Sequence, residues 1–206
     1  MIKYLFTFII FASTLLIAKT LDNFTLKDSD IGSFLITFEL EDITFEEKDG
    51  YTKINTNSKG ETSVIGMPKL PQFSTLLMLD PQKEYDITYT IKDSYIIEDI
   101  EIIPNQRIEK GLEKINIEEQ DISFYSSSKT YPYDNIILSE PMVMRDLVLS
   151  NITIIPFQYY PNSHQLEVYK VIDVDVYEVG ETADIRRREM PPSRVFENIY
   201  KNSVIN

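Results

Sequence analysis

The chain has 206 residues, with 33 Asp and Glu against 20 Lys and Arg, one histidine and no cysteine. A net charge of -13 argues against nucleic acid as a partner, because that binding depends on basic side chains displacing phosphate counterions. The missing cysteine excludes a disulfide framework, a zinc-thiolate site and a thiol nucleophile, and His164 alone leaves little base for triad or dyad chemistry; no cofactor is expected.

Met1 to Lys3 form a short positive segment, "YLFTFIIFASTLLIA" is an uninterrupted apolar run, and Ala18 is a small residue suited to cleavage. The run falls short of the roughly 20 residues a membrane-crossing helix needs. Residues 1–18 are therefore predicted to be a signal peptide cut after Ala18. The remaining chain would be secreted, periplasmic or held at the cell surface, with no membrane segment of its own.

From Lys19 onward the apolar period is two. Strands are predicted in "GSFLITFEL" (32–40), "YTKINT" (51–56), "TSVIG" (62–66), "STLLML" (74–79), "YDITYTI" (85–91) and "YIIEDIEII" (95–103), all rich in β-branched and aromatic residues. In "YDITYTI", Tyr85, Ile87, Tyr89 and Ile91 share one face. "DLVLSNITIIPFQY" (146–159) follows, and then "LEVYKVIDVDVYEV" (166–179), where Leu166, Val168, Ile172, Val174 and Val176 oppose Glu167, Asp173, Asp175 and Tyr177. Strands without intervening helices predict an all-β antiparallel sandwich, jelly-roll-like, over residues 19–180. Residues 181–206 read as a polar, basic linker and a short helical tail, capped by Ser193, with an apolar stripe of Val195, Phe196, Ile199 and Tyr200. A helix that short is marginal alone, so it must fold back on the sandwich or dock on a partner.

Prolines punctuate the pattern. In "GMPKLPQF" (66–73), Pro68 and Pro71 lack amide hydrogens and push their neighbours toward extended geometry. "MPKLP" (67–71) is predicted to be an extended arm outside the ladders, at a sheet edge, entered through a turn at Gly66. Asp173 with Asp175, and Asp28 with Asp30, each fall short of the six to eight oxygens calcium takes and read as solvated faces. His164 lies in a turn by composition. "NFT" (23–25) and "NIT" (151–153) match glycosylation sequons.

In this order the punctuated stretches resemble the N-terminal propeptide of gingipain-type cysteine peptidases. The residues carrying the resemblance are Gly66, Pro68, Leu70 and Pro71, then Pro104 and Gln106. They continue with Tyr125 and Tyr131-Pro132, Pro141 and Arg145, and Pro156, Tyr159 and Pro161 ahead of Leu166 and Val168. Tyr160 stands where the family usually has Asn, and "SRVFENIYKNSVIN" resembles the segment leading into the mature enzyme. The resemblance implies a jelly-roll-like sandwich without catalytic residues, whose partner is a gingipain-like cysteine peptidase catalytic domain, in cis or in trans. It implies that the domain aids folding of that peptidase and keeps it latent by covering the active-site cleft, with a basic side chain from a projecting loop entering the specificity pocket. Lys129, Arg107, Lys110 and Lys114 are the candidates for that side chain. Arg186, Arg187 and Arg188, in a polar linker where nicking concentrates, are candidates for a processing site. An exported adhesion or carbohydrate-binding module is the alternative, and it needs exposed aromatics in a groove.

Overall fold

The computed structural model describes residues 19–30, 32–107, 120–183, 185 and 190–206. In chain order its strands are β1 (Lys19–Leu21), β2 (Phe24–Asp30), β3 (Ser33–Glu39), β4 (Thr44–Lys48), β5 (Tyr51–Asn55), β6 (Gly60–Glu61), β7 (Pro71–Met78) and β8 (Lys83–Ile97). A four-residue helix α1 (Ile122–Tyr125) precedes β9 (Ile136–Leu138), β10 (Met142–Met144), β11 (Leu147–Ile154), β12 (Phe157–Tyr160) and β13 (Gln165–Glu181), and helix α2 (Arg194–Ser203) closes the chain. The predicted all-β sandwich with a short C-terminal helix is the fold observed.

β13 organises the first sheet. β8 pairs antiparallel along one of its edges, from Leu166 opposite Ile97 to Glu181 opposite Lys83. The other edge is shared end to end by β12 and β3, with β2 and β1 beyond β3. The second sheet repeats that plan around β11: β7 lies along one edge, β9 and β10 divide the other, and β6 adds to β7. Leu166, Val168, Ile172, Val174 and Val176 are all fully buried and meet Phe73, Leu77, Val148, Ile152 and Ile154 in one core, so the alternation read in β13 holds residue by residue. Phe38 bridges the layers, its ring 5.4 Å from Phe24 and 5.0 Å from Phe73.

Some elements depart from expectation. "YDITYTI" and the start of "YIIEDIEII" are one strand, β8, which ends at Ile97 because Asp99 adopts a left-handed backbone (φ 54°). Its apolar face is only partly covered, Tyr89, Ile91 and Tyr95 staying exposed. "TSVIG" forms no strand; it is a turn with Val64 and Ile65 exposed. β4 and β5 form a separate hairpin through Asp49 (φ 54°) and Gly50 (φ 82°), the two positive-φ positions a tight hairpin turn requires.

The tail folds back on the sandwich. Val204 bridges Leu76 in parallel, and the Ile205 amide donates to the Leu76 carbonyl at 2.8 Å. The Asn206 carboxamide exchanges two 2.8 Å bonds with the Met78 backbone. Ile205 is fully buried in the core. Ahead of it α2 rests on the turn after β10: the Arg145 guanidinium lies 4.4 Å over the Phe196 ring and donates to the Pro191 carbonyl, and the Tyr200 hydroxyl reaches Met144 and Asp146. Ser193 occupies the N-cap and its carbonyl accepts the Glu197 amide, but its hydroxyl makes no capping bond. Phe196 and Tyr200 thus use the inner half of the predicted stripe, leaving Val195 and Ile199 outward.

Candidate functional site

Pro68 of the arm and Pro104 opposite it are placed where a missing amide costs nothing. Pro68 faces Pro104 in an antiparallel bridge, flanked by bonds from the Asn105 amide to the Met67 carbonyl and from the Lys69 amide to the Ile103 carbonyl, both 2.8 Å. That pattern makes Pro68 and Pro104 a non-hydrogen-bonded pair, in which neither residue needs an N–H. The arm predicted to lie outside the ladders therefore forms a two-bond ladder of its own, and its last residue, Pro71, opens β7 opposite Glu61. Buried Thr62 locks it from one side: its hydroxyl donates to the Pro68 carbonyl and accepts from the Leu70 amide and the Asn105 side chain.

Gly66 is the pivot. Its amide donates to the Asn105 carbonyl at 2.8 Å and its carbonyl accepts the Asp121 amide at 3.1 Å. One residue thus ties both roots of the connection that leaves at Gln106 and returns at Gln120. The position has φ 80°, and a Cβ there would lie 3.0 Å from the Asp121 backbone nitrogen. Glycine is required on both counts.

Past Asp121 the chain is fixed just as closely. The Asp121 carboxylate accepts the Phe124 amide and caps α1. Phe124 is buried, with its ring against Tyr125 and Tyr131. The Tyr125 hydroxyl donates to the Ile102 carbonyl at 2.9 Å. Tyr131 and Tyr159 exchange backbone bonds of 3.1 and 2.8 Å, the Tyr131-Pro132 peptide is cis, and Gln158 donates to the Pro132 carbonyl. Burial, reinforced by the Glu101 carboxylate, pushes the Tyr159 phenol up to about 12. Tyr125 is raised further by burial, and Tyr131 is also raised, so these hydroxyls stay protonated donors across the physiological range.

Of the residues that carried the family resemblance, Gly66, Pro68, Pro104, Tyr125, Tyr131, Pro132 and Tyr159 brace this part of the sandwich, whereas Arg145 holds α2 and Leu166 and Val168 lie in the core. Of the four basic candidates, Arg107 stands at the departing root and is exposed. Lys129 is exposed in the turn after α1, its amide donating to the Ser127 hydroxyl. Lys110, Lys114, Arg186, Arg187, Arg188 and Ala18 lie outside the described residues. The groove of aromatics that an adhesion module needs loses Tyr131, Tyr159 and Tyr169, which are buried.

Other predicted constellations have local partners. Asp173 accepts the Thr37 hydroxyl at 2.6 Å and pairs with Lys92 at 3.4 Å. His164 lies 3.7 Å from Glu101 and is more than half exposed. Among the described residues no group of three or more His, Asp or Glu side chains is arranged to hold a metal. The sequon asparagines are engaged, Asn23 donating to the Glu39 carbonyl and Asn151 to the Thr153 hydroxyl. Sequence reasoning missed Gly66's bond to Asp121 and the part played by Thr62 and Asn105. Their signal is a set of contacts between segments some 40 to 55 positions apart, which no local pattern carries.

The comparisons with known proteins agree on one family. The Propeptide_C25 family model matches residues 22–204. Gingipain R1 of Porphyromonas gingivalis is 25% identical over 180 residues, covering 83% of this chain but only 18% of that protein, so the chain spans under a fifth of this curated relative. A chain from a solved complex of Porphyromonas gingivalis RgpB pro- and mature domains superposes with a TM-score of 0.77 at 21% identity, over 89% of this chain and 96% of that one. A structure addressing zymogenic latency of gingipain K from the same organism matches with a TM-score of 0.63 at 17% identity, over 78% and 94%. With nearly the whole of the sandwich and its tail matched, the chain belongs to the C25 propeptide family, the non-catalytic pro-domains of gingipain-type cysteine peptidases.

Proposed function

We propose that this propeptide domain keeps a gingipain-like cysteine peptidase catalytic domain latent by covering its active-site cleft, in cis or in trans, and that it assists folding of that domain. The observation that carries the reading is the braced end of the sandwich, where Gly66 ties both roots of the 106–120 connection and Arg107 is exposed at the departing root. A rigid scaffold loses little ordering entropy on binding, so modest contacts suffice to block a cleft. The RgpB complex of pro- and mature domains supports a catalytic domain as the partner. The chain has no cysteine, so the nucleophile would come from that domain.

In this reading residues 19–180 are the covering module and 181–206 the connection toward the catalytic domain, with Arg186 to Arg188 as the processing site. The leader, residues 1–18, would export the chain to the cell surface or beyond. One basic side chain among Arg107, Lys110, Lys114 and Lys129 would enter the specificity pocket. The test is amidolysis by the catalytic domain of gingipain R1 with increasing full chain: dose-dependent inhibition is expected, and full activity at micromolar excess would contradict the reading.

A further inference from the structure

The chain is fastened on both sides of the basic run Arg186 to Arg188, and by separate contacts. Before the run, the Thr182 amide donates to the Gln82 carbonyl at 2.9 Å and the Ile185 amide to the Pro81 carbonyl at 3.0 Å, and Ile185 packs against the core. After it, Arg145 holds the Pro191 carbonyl and lies over the Phe196 ring. The extended end then runs along the edge of β7 opposite β11, beyond the short stretch that β6 covers: Val204 faces Leu76 and the Asn206 carboxamide bonds the Met78 backbone. The Lys19 ammonium donates to the Val204 carbonyl at 2.6 Å, and Ile205 is fully buried. The bridge is parallel, and no tight turn can set a parallel register. Here the register comes from Ile205 in the core and from the Asn206 carboxamide.

We propose that the β7 edge, Lys19 and the turn at Arg145 form a peptide-binding site that holds residues 190–206 without the covalent link, so that a cut within Arg186 to Arg188 leaves a two-piece domain with its tail in place. The inference rests on the reading of that run as the processing site. Hydrolysis there adds water across one peptide bond, leaving a carboxylate on the arginine and an ammonium on the residue after it, and touches none of the contacts that hold the tail. What the site takes is a peptide with an amphipathic helix followed by an extended Val-Ile-Asn. Its backbone adds a strand to the β7 edge, its isoleucine fills a core position, and its carboxamide matches the amide and carbonyl of Met78. The cut removes only the tethering, an effective concentration of roughly millimolar for a short flexible link. Cutting and separation are therefore two events, and the second requires Ile205 to leave the core.

The experiment uses the full chain with a recognition sequence for a sequence-specific peptidase inserted after Arg188, cut to completion and passed over gel filtration at micromolar concentration, with mass spectrometry of each fraction. The tail is expected to elute with the sandwich. Ile205→Ser should speed its dissociation tenfold or more, and Arg145→Ala, which leaves the core untouched, several-fold. Val195→Ser, on the outward face of α2 and 66% exposed, should stay within twofold of the parent chain. Free tail from the parent chain would overturn the site. So would parental retention by a folded Ile205→Ser chain, or by Arg145→Ala where Ile205→Ser does not fold. In a second arm the unaltered chain is digested with an arginine-specific endopeptidase, and a cut within Arg186 to Arg188 is expected. Resistance there, with the tail retained in the first arm, would overturn the processing reading and leave the site standing.

Discussion

Replacing Gly66 by alanine isolates the brace from ordinary glycine chemistry. At φ 80° a side chain costs roughly 1–2 kcal/mol in left-handed backbone strain. Gly50 has the same requirement (φ 82°) but open space around its missing Cβ, so Gly50→Ala should lose about 1–2 kcal/mol and no more. At Gly66 the new methyl meets the Asp121 nitrogen at 3.0 Å, stretching the bond that holds the returning root. One weakened backbone bond is worth about 0.5–1.5 kcal/mol, which brings the expected loss to about 1.5–3.5 kcal/mol. The assay is urea unfolding followed by tyrosine fluorescence, where that loss lowers the midpoint by about 1 M or more at a typical slope. Gly66→Ala should also weaken peptidase inhibition, whereas Gly50→Ala should not. Equal destabilisation by the two variants, or unchanged inhibition by Gly66→Ala, would refute the claim that Gly66 positions the loop roots.

Truncating fully buried Ile205 to alanine should cost about 2–5 kcal/mol and speed hydrogen exchange of α2 amides, because the tail would lose its anchor in the core; a loss under about 1 kcal/mol would show that anchor to be idle. Alkaline pH should destabilise the fold from about pH 10 upward. Tyr125, Tyr131 and Tyr159 hold their protons in the folded state above the ordinary phenol value, so their contribution is complete below pH 10 and fades as pH climbs through the raised values; a flat unfolding midpoint between pH 9 and 11.5 would contradict that. Lys129→Ala and Arg107→Ala leave the fold unchanged, and at least one should weaken inhibition of the catalytic domain by tenfold or more. Equal inhibition by both would move the pocket residue to Lys110 or Lys114.

The sandwich was legible because burial writes a period of two. In β13, Leu166 and Val168 before the bulge and Ile172, Val174 and Val176 after it fall on alternate buried positions, and no helical pattern competes. The β4–β5 hairpin was half legible: Asp49-Gly50 is a strong turn signal, but β4 is exposed throughout, so no apolar alternation marks it. Val64 and Ile65 misled, being β-formers placed at an exposed turn. Helix α1 was hidden in "SFYSSS", since four residues hold a helix only through contacts from elsewhere, here the Asp121 cap and the burial of Phe124. The bases Arg107 and Lys129 were legible as candidates through the family resemblance. What joins the roots at Asn105 and Asp121 is Gly66, and hydrogen bonds between residues 66 and 121 leave no trace in local composition.

Occupancy of the cleft is the most direct test. The catalytic domain of gingipain R1 is split into two samples, one free and one with its active-site cysteine blocked by a peptidyl chloromethyl ketone that fills the cleft, and full-chain binding to each is measured by titration calorimetry. A domain that covers the cleft should bind the free enzyme and lose tenfold or more in affinity for the blocked one. Equal affinity for both samples would mean that the propeptide sits elsewhere on the enzyme, and the account of latency by coverage would be wrong.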